Sequence, residues 1–317
     1  VGEVVPMLPH RLSSGICSLV EAEERLVKSV LFRFSKEGKT LDSKFTESVI
    51  KSNKRLTYEQ AILFMRETDL EKIRTAKPPP SRYSGNPGKP LLELSKEQLA
   101  ELKEAIGKLW RVASQIRRFR MKSGSLDFAS PEVKILVNDN GIPEEIVQSE
   151  SDESHQLIEE FMLLANETVA KELRKKHLPG IFRVHPEPDP ENLEELRSFL
   201  SLFGISSGEL SSRKEVNKIL AQINKHTLAQ VLRIKFLRSM KQACYRNTPD
   251  GHYGLAKQDY LHFTSPIRRY ADLVVHRTIE RLVRREKTNK SEYEKLEGLA
   301  KHLSTTERNS VDAERES

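Results

Sequence analysis

The chain has 317 residues, 37% of them apolar and 31% charged, with only two cysteines, Cys17 and Cys244. That apolar share is enough for a substantial core, while the distant cysteines exclude a disulfide framework and a paired-cysteine zinc site and point to a reducing, cytoplasmic setting. The formal charge of +7 arises beside plentiful acidic residues, so basic charge is expected in patches suited to a polyanionic partner, and no run approaches the roughly 18 apolar residues of a membrane span.

In chain order, the alternating Val30, Phe32 and Phe34, the turn Lys36-Glu37-Gly38-Lys39 and the run from Leu41 to Val49 predict antiparallel strands between Leu26 and Ile50. Thr57 to Glu67 reads as a short helix. Ala76 to Pro90 holds five prolines with Gly85 and Gly88 and is expected to be an exposed irregular loop. Ser95 and Gln98 form a capping box ahead of Leu99, Leu102, Ile106, Leu109, Ala113 and Ile116, which recur at helical spacing to about Met121 before Ser123-Gly124 breaks the pattern. The basic cluster Arg117, Arg118, Arg120 and Lys122 suits the negative end of that helix as well as it suits phosphate.

Val133, Ile135 and Val137, then Asn138-Asp139-Asn140-Gly141 and Ile146-Val147, predict a second hairpin. Leu157, Ile158, Phe161, Met162, Ala165, Val169 and Leu173 mark an amphipathic helix, Asp189-Pro190 to Gly204 a helix with start and stop signals, and Arg213 to Asn224 another. Two helices complete the pattern, one from Ser265 and one from about Ser291 to beyond Glu314. An α+β fold with antiparallel strands packed against several helices is the consistent expectation. No leader precedes Val1 and Ser317 falls inside a helical pattern, so the chain is expected to be cut at both ends.

Ser265 as N-cap and Pro266 as first helical residue would place Arg268 and Arg269 on a first turn, where the dipole opposes cations and would favour an incoming phosphate. A purely structural account pairs both arginines with Asp272. The whole string His262-Phe263-Thr264-Ser265-Pro266-Ile267-Arg268-Arg269-Tyr270-Ala271-Asp272, continuing to His276-Arg277, resembles the signature of the RNB family of exoribonucleases, of the RNase II and ribonuclease R type. Pro6-Met7-Leu8-Pro9, Leu12-Ser13 and Ile16 to Leu19 are similar to an early family segment, and His155 to Asn166 resembles a family helix. Arg183-Val184-His185 and His252-Tyr253-Gly254-Leu255 follow in the family order.

The resemblance implies that residues 1–317 are a partial RNB catalytic domain, with cold-shock and S1-type domains outside the chain. It implies hydrolysis of single-stranded RNA from the 3′ end to nucleoside 5′-monophosphates with Mg²⁺. By position, Arg268 corresponds to an arginine at the scissile phosphate, Arg269 to a weaker RNA contact, and Glu314 to a glutamate near the reaction centre. Tyr58 matches a tyrosine on the terminal nucleotides, Glu159 a glutamate that helps recognise ribose, and Phe128 a phenylalanine on which bases stack. The metal ligands are expected in an aspartate-rich segment upstream of Val1, with none in this chain, so the chain alone is expected to be inactive. The competing readings are a catalytically inactive RNA-binding relative and a nonenzymatic basic scaffold. His155, His185 and His252 are expected to serve structural hydrogen bonds, because a hard divalent ion prefers oxygen ligands.

Overall fold

The structure, a computed structural model, describes all residues except 1–4, 77–87, 127–131, 138–141, 150, 211, 287–289 and 317. The chain divides into two compact units that interleave in sequence. One comprises Val1–Arg117, Ala129–Ala165 and Ser265–Tyr270, the other Arg118–Phe128, Asn166–Thr264 and Ala271–Ser317. The fold is α+β, and its three named strand pairs are all antiparallel.

In the first unit, strands β1 (Glu24–Phe34) and β2 (Thr40–Lys51) pair with Val30 opposite Phe45 and Leu26 opposite Val49. Helix α1 (Tyr58–Arg66) starts at a reciprocal capping box between Thr57 and Gln60. Helix α2 (Leu70–Thr75), capped by Asp69, is too short to show a periodic pattern and escapes the sequence reading. Helix α3 (Lys96–Lys122) begins at the expected box: the Gln98 N–H donates to Ser95 Oγ at 3.2 Å and the Ser95 N–H to Gln98 Oε1 at 2.9 Å. It ends before Gly124, whose φ of +89° only glycine adopts at low cost.

The second hairpin, β3 (Glu132–Val137) with β4 (Pro143–Ser149), and helix α4 (Glu153–Lys175) follow. Phe64, Ile73, Leu91 and Leu99 form a buried cluster in this unit, each side chain contributing about 1.5–3 kcal/mol by leaving water. The proline-rich stretch from Ala76 to Pro90 lies mostly outside the described residues, as does the Asn138–Gly141 turn.

In the second unit, β5 (Phe182–Val184) pairs with β6 (Cys244–Arg246). Helices α5 (Pro190–Ser201), α6 (Arg213–Lys225) and α7 (Ala229–Ser239) enclose Leu196, Leu200, Ile219, Ile223, Leu232 and Phe236. Helix α7 is absent from the sequence reading because its apolar residues occupy more than one face: Leu232 and Phe236 are buried, while Val231, Ile234 and Leu237 are exposed. Helix α8 (Tyr270–Arg284) and helix α9 (Lys290–Glu316) complete the order. Ile181, Tyr245, Ala271, Val274 and Ala300 form a second cluster here.

The helix expected from Ser265 begins instead at Tyr270. Ser265 to Arg268 is a turn, closed by the Arg268 and Arg269 N–H groups donating to the Ser265 carbonyl at 3.3 and 3.1 Å. Proline suits the second position of a β-turn as well as the first of a helix, so Ser-Pro is locally ambiguous. The first-turn acid of α8 is the buried Asp272, which complements the helix dipole. The dipole argument for a phosphate at Arg268 and Arg269 therefore does not hold.

The motif histidines of this unit carry backbone hydrogen bonds. His185 Nδ1 accepts from the Gly254 N–H at 3.1 Å and His252 Nδ1 from the Leu255 N–H at 3.3 Å, which requires both Nδ1 atoms to be unprotonated. A Cβ at Gly254 would lie 3.1 Å from His185 Nδ1, which accounts for the glycine in His-Tyr-Gly-Leu. Burial, then neighbouring His185 and Arg183, pushes His252 down from 6.5 to about 3. Burial also lowers His185, with Arg183 and Arg213 adding to it against a hydrogen bond with the Lys241 backbone.

A neutral folded histidine that protonates near pH 6.5 once unfolded stabilises fully above that pH and loses its contribution as pH falls toward 3. Unfolding free energy is expected to drop between pH 6.5 and 5, with His252 contributing up to about 1.4 kcal/mol per pH unit. Urea titrations at both pH values test this: His252→Gln should flatten the slope relative to the parent protein, and an undiminished slope would exclude His252 as its source.

Candidate nucleic-acid interface

In the first unit, the Thr57 capping box fixes Tyr58 as the first residue of α1, and its ring stacks on His155 of α4 with centroids 3.8 Å apart and planes 17° apart. His155 is held in turn. Its Nδ1–H donates to Asp152 Oδ1 at 2.9 Å, the same oxygen that receives the Ser154 N–H at 3.0 Å and the Ser154 hydroxyl at 2.5 Å. Asp152 is thus the N-cap of α4, a role legible in its place just ahead of the helix. Partial burial works to raise its carboxyl pKa, but the hydrogen bonds from Ser154 and His155 outweigh this and hold it below the ordinary value.

Glu159 lies one helical turn beyond His155, on the same face of α4. Its side chain is 42% exposed and 4.0 Å from Arg117 Nη1, whereas the adjacent Glu160 is fully buried and accepts from the same Arg117 Nη1 at 3.4 Å. A buried carboxylate without a partner would be strongly destabilising, so Arg117 has a structural duty. The two neighbouring glutamates are separated by burial, and only Glu159 presents its carboxylate to solvent. The exposed surface of α4 also carries Ile158 and Met162, which the apolar pattern had grouped with the core. The buried stripe runs instead through Leu157, Glu160, Leu163, Asn166, Val169 and Leu173.

The Ser265–Tyr270 segment belongs to the same unit as Tyr58, His155 and Glu159. Within it, Arg268 is exposed and Arg269 half-buried. The described residues therefore gather Tyr58, Glu159, Arg268 and Arg269 in one compact unit, although they come from three widely separated stretches of sequence. Glu314 is exposed in the last turns of α9, in the second unit, and Phe128 lies outside the described residues.

Other signature residues brace the chain just ahead of the turn. The Asn166 side chain donates to the Tyr260 hydroxyl at 3.1 Å and accepts from the Phe263 N–H at 3.0 Å. His276 Nε2 donates to the Phe263 carbonyl at 2.8 Å, with its ring stacked on Phe263 at 4.4 Å. Side chains thus satisfy both main-chain groups of Phe263, a function that accounts for Asn166 and His276 without any ligand. Among the described residues, no three His, Cys, Asp or Glu side chains gather as a group that could hold a metal ion. No helix among them is long and apolar enough to cross a membrane.

A family model described as RNB domain matches residues 1–285 of the chain. The chain belongs to the RNB family. It is 38% identical to Ribonuclease R of Thermotoga maritima, over 99% of this chain and 42% of that protein. It is 36% identical to Ribonuclease R 1 of Lactococcus lactis, over 99% of this chain and 36% of the relative. The RNB chain therefore spans well under half the length of these curated relatives. The structure of Mycoplasma genitalium RNase R in complex with ribose methylated single-stranded RNA superimposes with a TM-score of 0.84 at 26% identity, over 99% of this chain and 46% of that one. The RNB resemblance drawn from the signature string is borne out, as is the α+β fold.

His155 is a residue that the sequence left in a structural role, and Asp152 is one that it did not single out. The motif contains His155, but nothing in the local pattern shows that its ring lies against Tyr58, which is remote in sequence.

Proposed function

We propose that the protein containing this RNB chain is a cytoplasmic, Mg²⁺-dependent exoribonuclease that degrades single-stranded RNA from its 3′ end to nucleoside 5′-monophosphates. The observation that carries this reading is the tie between Tyr58 and Glu159: the phenol stacks on His155, and the carboxylate lies one turn farther along the same helix face. A 2′-hydroxyl is both donor and acceptor, and a phenol with a carboxylate can read it directly. The ribonuclease R relatives support the same class of substrate and reaction.

Water adds to the phosphorus of the terminal phosphodiester and the P–O3′ bond breaks, so the phosphate leaves with the terminal nucleotide and the shortened strand keeps its 3′-hydroxyl. Arg268, exposed at the turn, stabilises negative charge that develops on the non-bridging oxygens. Arg269 adds a weaker phosphate contact, and the family resemblance assigns Phe128 a stacking role that ignores base identity and Glu314 the role of a carboxylate that serves the reaction. RNB nucleases are generally dependent on divalent metal. The described residues do not supply a fitting cluster, and we place the Mg²⁺ ligands outside them.

The test is a time course on 5′-labelled single-stranded RNA with the intact protein, in Mg²⁺ and in excess EDTA. Stepwise shortening from the 3′ end with release of 5′-monophosphates, abolished by EDTA, is the expected result. Immediate release of a labelled mononucleotide would reverse the polarity, and binding without hydrolysis would leave only an RNA-binding relative. The 317-residue chain by itself is expected to hydrolyse no RNA in Mg²⁺, and metal-dependent release by that chain would place the ligands within it.

A further inference from the structure

Tyr58 is 43% exposed, yet one face of its ring is covered by an imidazole whose centroid is 3.8 Å away and nearly parallel. A base cannot stack on that face, and what remains available is the opposite face, the ring edge and the hydroxyl. The imidazole cannot easily move aside, because its Nδ1–H is held by Asp152 Oδ1 at 2.9 Å and that oxygen is itself fixed by the Ser154 N–H and hydroxyl at the start of α4. The backbone of Tyr58 is equally constrained by the Thr57–Gln60 box. Phenol, imidazole and N-cap carboxylate thus form one rigid chain of contacts built on the helix that carries Glu159.

We propose that His155, anchored by Asp152, is a positioning residue that sets the phenol of Tyr58 at a fixed distance from the Glu159 carboxylate, and that this spacing determines discrimination between a terminal ribose and a terminal deoxyribose. The inference rests on the reading of Tyr58 and Glu159 as ribose contacts. Its physical basis is that hydrogen bonds weaken steeply with misalignment, so two groups reading one hydroxyl discriminate well only when both are held in place. A ring free to rotate would still bind nucleic acid through its apolar surface but would lose the distinction between sugars.

The experiment is competition binding to the intact protein in EDTA, using two RNA oligonucleotides that differ only in a ribose or 2′-deoxyribose at the 3′-terminal nucleotide. His155→Ala and His155→Leu both remove the planar ring, the second keeping side-chain bulk should the first fail to fold. Each is expected to lower the ribose-to-deoxyribose affinity ratio about two- to twelvefold, the worth of one hydrogen bond. His155→Phe, which restores a stacking ring but lacks the Nδ1–H that Asp152 holds, should recover only part of the ratio. If Tyr58→Phe lowers the ratio but the His155 variants do not, positioning by His155 is overturned while the ribose reading stands. Equal loss of affinity for both oligonucleotides in the His155 variants also overturns it. If Tyr58→Phe and Glu159→Gln leave the ratio unchanged, the ribose reading itself fails and this inference with it.

Discussion

Replacing Arg268 with alanine in the intact protein is expected to lower kcat by about 10²–10³-fold while changing KM little, the loss typical of removing one donor that acts on charge developing in the transition state. Two observations support the choice. Arg268 is exposed at the end of the Ser265–Arg268 turn, and the turn is closed by its own main-chain hydrogen bonds, so the guanidinium projects from a fixed backbone. Arg269, half-buried, is expected to show a milder effect on turnover. Single-turnover kinetics on a short RNA separate the chemical step from product release and give the comparison directly. Equal loss of kcat in the two variants, or an Arg268→Ala effect confined to KM, would remove Arg268 from the reaction centre.

The second large effect concerns the choice of nucleic acid. The double variant Tyr58→Phe with Glu159→Gln is expected to narrow the preference for RNA over DNA, each lost hydrogen bond contributing about 0.5–1.5 kcal/mol, or roughly two- to twelvefold. These substitutions are mild for the fold. Tyr58→Phe keeps the ring that stacks on His155 and removes only the hydroxyl, and the buried partner of Arg117 is Glu160 rather than the half-exposed Glu159. Phe128→Ala, by contrast, should weaken RNA and DNA alike, because stacking takes no account of the sugar. Competition binding with matched oligonucleotides reads both outcomes, and an unchanged RNA-to-DNA ratio in a folded double variant would return Tyr58 and Glu159 to structural roles.

Arg117 shows why a basic cluster cannot be assigned from sequence. At the end of a helix it suits the dipole, a phosphate or a neighbouring carboxylate equally well, and its contact with Glu160 becomes visible only when the residue numbered 43 positions later is folded beside it. The same holds for the two adjacent glutamates, which are chemically identical in the sequence and differ only in burial.

By itself the sequence determined the elements whose signals are local. The first hairpin follows from alternating apolar residues and a glycine turn, α3 from the Ser95–Gln98 box and a stop at Gly124, and α5 from Asp189-Pro190. It also determined membership of the RNB family, because the signature string from His262 to Arg277 is long and its order among the other motifs is kept. Tertiary structure decided what local chemistry leaves degenerate. Ser265-Pro266 fits a turn or a helix start, and only the fold selects the turn; α7 carries apolar residues on more than one face, and only its neighbours select which are buried. The stack of Tyr58 on His155 was likewise invisible, since contacts between distant stretches arise from packing and leave no spacing in the chain to be read.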